Sequence, residues 1–370
     1  CMFNSKVTFA KTHNEEFHKV LRKRVGDYFK TKNISRHANA AMVIKTIAML
    51  AFYITPLCFL LTVEMSTWLV LLMWTIMGFG MAGVGLSVMH DANHGAYSKN
   101  EKVNKIIGSV IMILGGNDVN WKIQHNVLHH TYTNVTGLDE DIEPPEALLR
   151  FSPNKKRNAL HRFQHVYAWF FYGLMTMFWF ISKDYKQARR YKKMGLIESQ
   201  SITYANHWIT IIVGKIIFAF IFIVLPIWLC ETPWYISILG ITIMLFISGL
   251  TLGAIFQPAH VVPTSNYPVP DDSGNIEADW AVSQLYNTAN FAPKARLFSW
   301  YVGGLNFQVE HHLFPNICHV HYRKLANIVK QTAAEFNLPY HSYNTFGRAL
   351  LEHSKMLYKL GHYDNAPAIH

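Results

Sequence analysis

The chain has 370 residues, of which 51% are hydrophobic and only 15% charged, against about 25% charged in soluble globular proteins. So apolar a composition excludes intrinsic disorder, and 4 cysteines without a C-x-x-C pair exclude a disulfide scaffold and a zinc ribbon. A net charge of +11 raises nucleic acid as a partner, but in a chain this apolar it marks loops facing anionic lipid, and no nucleic-acid partner is expected. The 20 histidines nearly match the 23 acidic residues, which suggests a metal site built at a membrane.

Residues 1–40 form a polar, basic arm carrying Lys19, Arg22, Lys23, Arg24 and Lys30. No apolar core of a signal peptide precedes residue 41, so none is expected to be cleaved. Ala41–Val63 and Ser66–Met89 are each longer than the roughly 20 apolar residues that a spanning helix needs, and the turn between them carries Glu64. Trp208–Cys230 and Trp234–Phe256 make a second such hairpin. Lys45 and Lys215 interrupt these runs as cations able to snorkel. Phe163–Ile181 is long enough to span, but its aromatic crowding and the basic run Lys183–Lys193 place it in the interface.

Parity supports that choice. Histidine clusters that share a metal must share a side, which requires an even number of crossings between residues 130 and 260. The basic segments then fall on one face, made cytoplasmic by the positive-inside rule. The expected fold is all-α and multi-pass: a basic arm over 1–40, a membrane domain over 41–340 with four spans and a cytoplasmic helical cap, and a tail over 341–370.

Three clusters carry the chemistry: His90-Asp-Ala-Asn-His94, His125-Asn-Val-Leu-His129-His130 and Gln308-Val-Glu-His311-His312, with His260 just past the fourth span. Helical positions i and i+4 face one way, so His90 with His94, and His125 with His129, can each grip one ion. Neighbours such as His129/His130 and His311/His312 point about 100° apart and can serve two metals. Eight imidazoles plus Gln308 exceed what one ion accepts. The donors exclude iron–sulfur chemistry and suit iron, zinc, copper or nickel. Zinc hydrolysis cannot attack the unactivated C–H bonds of a lipid chain, which leaves an O2-dependent non-haem di-iron oxidase. Asp91, Asn93, Asp139 and Asp141 are candidates for orienting imidazoles from behind, although Asp139 and Asp141 could equally form a solvated turn. His319 and His321 look interfacial; His13, His18, His37, His161, His165 and the C-terminal histidines look like surface residues.

The motifs H-D-x-N-H, Q-H-x-x-x-H-H-T-Y-T-N (Gln124 to Asn134) and N-F-Q-x-E-H-H-L-F-P (Asn306 to Pro315) resemble the three histidine boxes of the membrane fatty acid desaturases. Gln308, in place of histidine, resembles the front-end branch, which adds a double bond between an existing one and the carboxyl end. The segment from Asp279-Trp280 through Gln284-Leu285 to Asn290-Phe291 is similar to that branch as well. The resemblance covers about residues 40–340 and implies two irons, O2 as co-substrate and an acyl-CoA or acyl-lipid chain held in a tunnel. By its motifs, His90, His94, His125, His129, His130, His311 and His312 are ligands, His260 takes the place of an extra histidine, and Gln308 ligates or lies beside the metals. Many front-end enzymes carry a fused cytochrome b5 domain with H-P-G-G, a motif absent here, so the expected electron donor is a separate ferredoxin or cytochrome b5 and the expected location a bacterial cytoplasmic membrane. Two alternatives accompany this expectation: a sphingolipid desaturase or lipid hydroxylase on the same scaffold, and a membrane metal transporter.

Overall fold

The computed structural model describes residues 7–10, 15–145 and 147–364. In chain order its main helices are α1 (Glu15–Thr31), α2 (Ala40–Thr62), α3 (Thr67–Asn93), α4 (Glu101–Gly108), α5 (Lys122–His129), α6 (Gln164–Phe178), α7 (Asp184–Lys193), α8 (Tyr204–Leu229), α9 (Trp234–His260), α10 (Trp280–Asn287), α11 (Gln308–Leu313), α12 (Tyr322–Glu335) and α13 (Phe346–His362). The strands are two-residue parallel pairings, β1 (Thr8–Phe9) with β2 (Asn275–Ile276) and β3 (Asn290–Phe291) with β4 (Ser342–Tyr343). The fold is all-α.

Among the described residues, four helices are long and apolar enough to cross a membrane: α2, α3, α8 and α9. Their number and hairpin order are those expected, and α6 is not among them. Their ends differ from the hydropathy limits. Helix α3 winds on past Met89 to Asn93, and α9 continues past Phe256 so that His260 is its last residue. Hydropathy stops at the first polar side chain, whereas a helix continues while its backbone hydrogen bonds can form. Between Val84 and Met89, α3 loosens into a π-helical turn directly before His90, a distortion common beside functional residues.

Packing divides the chain into two units, each assembled from separated segments: residues 38–123 with 169–254, and residues 1–37 with 124–168 and 255–370. In the first, apolar side chains such as Ile44, Ile47, Trp68, Ile209, Ile216 and Trp228 face outward, as a lipid solvent allows. Helices approach closely where they carry glycine. A Cβ on Gly80 would lie 2.7 Å from Tyr53 Cα, where two spanning helices meet, and one on Gly249 would lie 2.6 Å from the Tyr172 carbonyl oxygen of α6; small residues permit apolar helices to approach this closely. Lys215 does not snorkel to a helix end. Its ammonium is buried, pairs with Asp184 Oδ2 and donates to the carbonyls of Gly115 at 2.6 Å and Trp179 at 2.7 Å. Asn120 donates from Nδ2 to Asp184 Oδ1 at 3.0 Å, and its amide oxygen accepts from His207 Nε2 at 2.9 Å.

In the second unit, Phe17, Leu21 and Val25 of α1 pack with Leu285 of α10 and with Leu325 and Val329 of α12 in one apolar core. Several histidines expected at the surface are interior. His37, His161 and His353 are buried: His161 Nδ1 accepts from the Asn158 amide at 3.1 Å, closing a helix cap, and His353 Nδ1 donates to the Val261 carbonyl at 2.7 Å. His319 and His321 are buried too. His161 is satisfied by its own helix cap and His353 by a carbonyl distant in sequence, and such partners make the burial tolerable. His13 lies outside the described residues.

Candidate metal centre

The second box is presented by α5, whose π-helical turn bonds the His130 amide to the His125 carbonyl at 3.0 Å. His125 and His129 stack with ring centroids 5.1 Å apart. The chain then doubles back, and the residues of the turn hold the rings from behind. Asp139 faces His129 Nδ1 at 2.9 Å and Asp141 faces His125 Nδ1 at 2.7 Å. Asp139 also accepts from the backbone amides of Asn134 at 2.8 Å and Asp141 at 3.0 Å. Burial works against protonation of His129, but the charge and hydrogen bond of Asp139, with Asp141, raise its pKa above the ordinary value. A more basic imidazole is a better metal donor.

The third box is a short buried helix, α11. Its His311 Nε2 lies 3.0 Å from His130 Nε2, and its His312 ring stacks on that of His130 at 4.4 Å. Tyr322 Oη meets His311 Nδ1 at 3.2 Å. Gln284 Oε1 meets His312 Nδ1 at 2.9 Å and also accepts the Thr133 hydroxyl at 2.9 Å. His260, the last residue of α9, brings its ring within 4.7 Å of His129 and 4.8 Å of His312. Asn134 secures that end from a left-handed conformation (φ 62°), donating to the carbonyls of His260 at 3.1 Å and Asn266 at 3.0 Å.

Two buried trios result, His129/His260/His312 and His130/His311/His312, each with ligand nitrogens within 4.8 Å of one another. They share His312. Gln308 opens α11, fully buried, and its Oε1 has no hydrogen-bond partner. Glu310 faces away, bound by Asn290 Nδ2 at 2.8 Å and Tyr340 Oη at 2.9 Å, and burial pushes its carboxyl up to about 7.

The first box belongs to the other unit. There His90 and His94 lie on one helix face, ring centroids 4.7 Å apart, each edge-on to Trp121 at 5.5 and 5.4 Å. Asp91 Oδ1 is 3.8 Å from His90 Nδ1. Asn93 donates to the Gly108 carbonyl at 3.3 Å, tying α3 to α4.

The donor set fits a metal. His129 Nδ1 is held by a carboxylate while its buried Nε2 has no hydrogen-bond partner, the division of labour of a metal-bound imidazole. The trios contain no thiolate, which suits iron, zinc, copper or nickel. Sequence reading overlooked Gln284, Thr133 and Tyr322 as ring-orienting groups. Gln284 and Thr133 stand inside motifs quoted above, whereas nothing local marks Tyr322.

Four apolar spans and a buried imidazole cluster define an integral membrane protein able to bind metal through histidine. A family model described as fatty acid desaturase matches residues 66–344. The chain is 36% identical over 356 residues to an sn-1 linoleoyl-lipid 6-desaturase of Arthrospira platensis, covering 96% of this chain and 95% of that one. It is 32% identical to the protein of the same description from Synechocystis sp., over 95% of this chain and 97% of the relative. It is 34% identical to an acyl-lipid (8-3)-desaturase of Physcomitrium patens, over 95% of this chain and 73% of the relative. The chain belongs to the fatty acid desaturase family and is an oxidoreductase.

Proposed function

We propose that this protein is a front-end acyl-lipid desaturase, with two irons held by His90, His94, His125, His129, His130, His260, His311 and His312. The observation that carries the reading is the set of five buried imidazoles in two overlapping trios, since adjacent donors in that number suit two neighbouring ions better than one. His90 and His94 enter through their match to the first box. Gln308 stands beside the metals, its free amide oxygen available to one of them or to the acyl tunnel. Bound iron supplies the O2 activation that breaks an unactivated C–H bond. The chain's own residues supply the rest. Asp139, Asp141, Gln284 and Tyr322 hold ring orientation, and burial keeps water from the reacting carbon. The names of the cyanobacterial relatives make a linoleoyl lipid, with a new bond at position 6, the first substrate to test. The basic segments support a cytoplasmic centre in a bacterial membrane, served by a separate one-electron carrier such as ferredoxin or cytochrome b5.

The test is expression in a host lacking polyunsaturated lipids, with defined acyl chains supplied and new double bonds located by mass spectrometry. A bond between an existing one and the carboxyl end, lost in His312→Ala, is the expected product. A hydroxylated chain, or a bond on the methyl side, would refute front-end desaturation.

A further inference from the structure

His129, His311 and His312 are at most 1% exposed, so a carrier protein cannot touch them and its electrons must cross intervening protein. Trp280 spans such a gap. It opens α10, fixed there by the Asp279 side chain, which accepts from the Ala281 amide at 2.9 Å. Its half-buried indole donates from Nε1 to the His130 carbonyl oxygen at 3.1 Å, joining the ring to the covalent frame of a proposed ligand. The outer side of the indole meets the half-exposed His18 of α1, ring centroids 5.6 Å apart. Beside His18, exposed Lys19, Arg22 and Lys23 fall on one stripe of α1, being three and four residues apart. Glu16 and Asp27 are also exposed on this helix, and Asp279 stands next to Trp280.

We propose that Trp280 is the electron entry bridge of this enzyme and that the Lys19/Arg22/Lys23 stripe beside it docks the acidic face of a one-electron carrier protein. A hydrogen-bonded aromatic couples donor to acceptor across protein better than a through-space gap does, and opposite charge steers the encounter. The balance is that of desaturation. Two reduced carriers each give one electron, the acyl chain gives two hydrogens with their two electrons, two protons come from water, and O2 leaves as two water molecules. Trp280 passes the carrier electrons and is not consumed. The inference rests on the desaturase reading above.

The experiment uses the full chain, iron-loaded in lipid nanodiscs, with reduced cytochrome b5 and a reduced [2Fe–2S] ferredoxin as carriers. Trp280→Phe keeps a ring and removes the N–H. Its oxidation of the carriers should slow several-fold, while its iron content matches wild type. When pre-reduced with dithionite and mixed with O2, it should also match wild-type product in a single turnover. Joint replacement of Lys19, Arg22 and Lys23 by glutamate should raise the KM for carrier and flatten its salt dependence, with kcat at saturating carrier retained. Unchanged carrier oxidation in Trp280→Phe overturns the bridge, and an unchanged KM in the triple variant overturns the docking stripe. Loss of iron or of single-turnover product in Trp280→Phe overturns it as well, since the residue would then be structural. If wild type makes no product with either electron source, the desaturase reading falls and this inference with it.

Discussion

At His129, three donors converge on one carboxylate: the ring N–H and the backbone amides of Asn134 and Asp141 all reach Asp139. Asp139→Asn leaves one acceptor oxygen and turns an NH2 toward buried donors. Losing such a partner costs a metal site about 10- to 100-fold in affinity, and competition with a chelator should show a fall of that order while the protein still inserts. Asp141 holds His125 and Gln124 together, so it is more than a solvated turn. The ligand candidates were legible as residue types at helical spacing. Their supports were not, because Gln284 and Tyr322 reach His312 and His311 only after chain segments distant from the second box have packed.

Two elements depend on single side chains. Asn134 joins the loop after α5 to the end of α9 while adopting a left-handed backbone. Asn134→Gly keeps that backbone and loses the clamp. Asn134→Ala loses the clamp and adds strain of roughly 1–2 kcal/mol, so thermal unfolding in detergent should rank wild type, then glycine, then alanine. Equal midpoints for the two variants would remove the conformational argument. Lys215 binds α8 to the Gly115 and Trp179 carbonyls and to Asp184. Removing one partner of a buried pair costs about 3–5 kcal/mol, so Lys215→Met should lower the unfolding midpoint markedly. Adding Asp184→Asn should recover part of the loss, because the uncompensated carboxylate is gone. Without such recovery, the ion pair is not what holds α8.

At the scale of the whole chain, each unit is stitched from segments far apart in sequence. In the unit holding the second and third boxes, His129 comes from one such segment and His260 and His312 from another. Metal bound there stabilises the folded chain over the unfolded one. Iron-replete protein should carry two irons per chain, and chelation should lower its unfolding midpoint. His312→Ala, lacking the shared donor, should show little further shift on chelation. A midpoint independent of iron in the wild type would argue against a centre that ties these segments together.

The four spans and the three boxes were open to direct reading, because hydropathy and donor chemistry belong to contiguous residues. A long apolar run can satisfy its backbone in lipid only as a helix, whatever surrounds it, and a histidine at i and i+4 repeats on one face wherever the helix lies. The exact ends of α3 and α9, the burial of Lys215 and His353, and the meeting of His260 with His129 and His312 depend on something else. Each needs a partner supplied from elsewhere in the chain: Asp184 for Lys215, the Val261 carbonyl for His353, the Asn134 amide for the end of α9. A buried polar group is tolerable only when such a partner is present, and that pairing arises from folding in three dimensions, which no local pattern encodes.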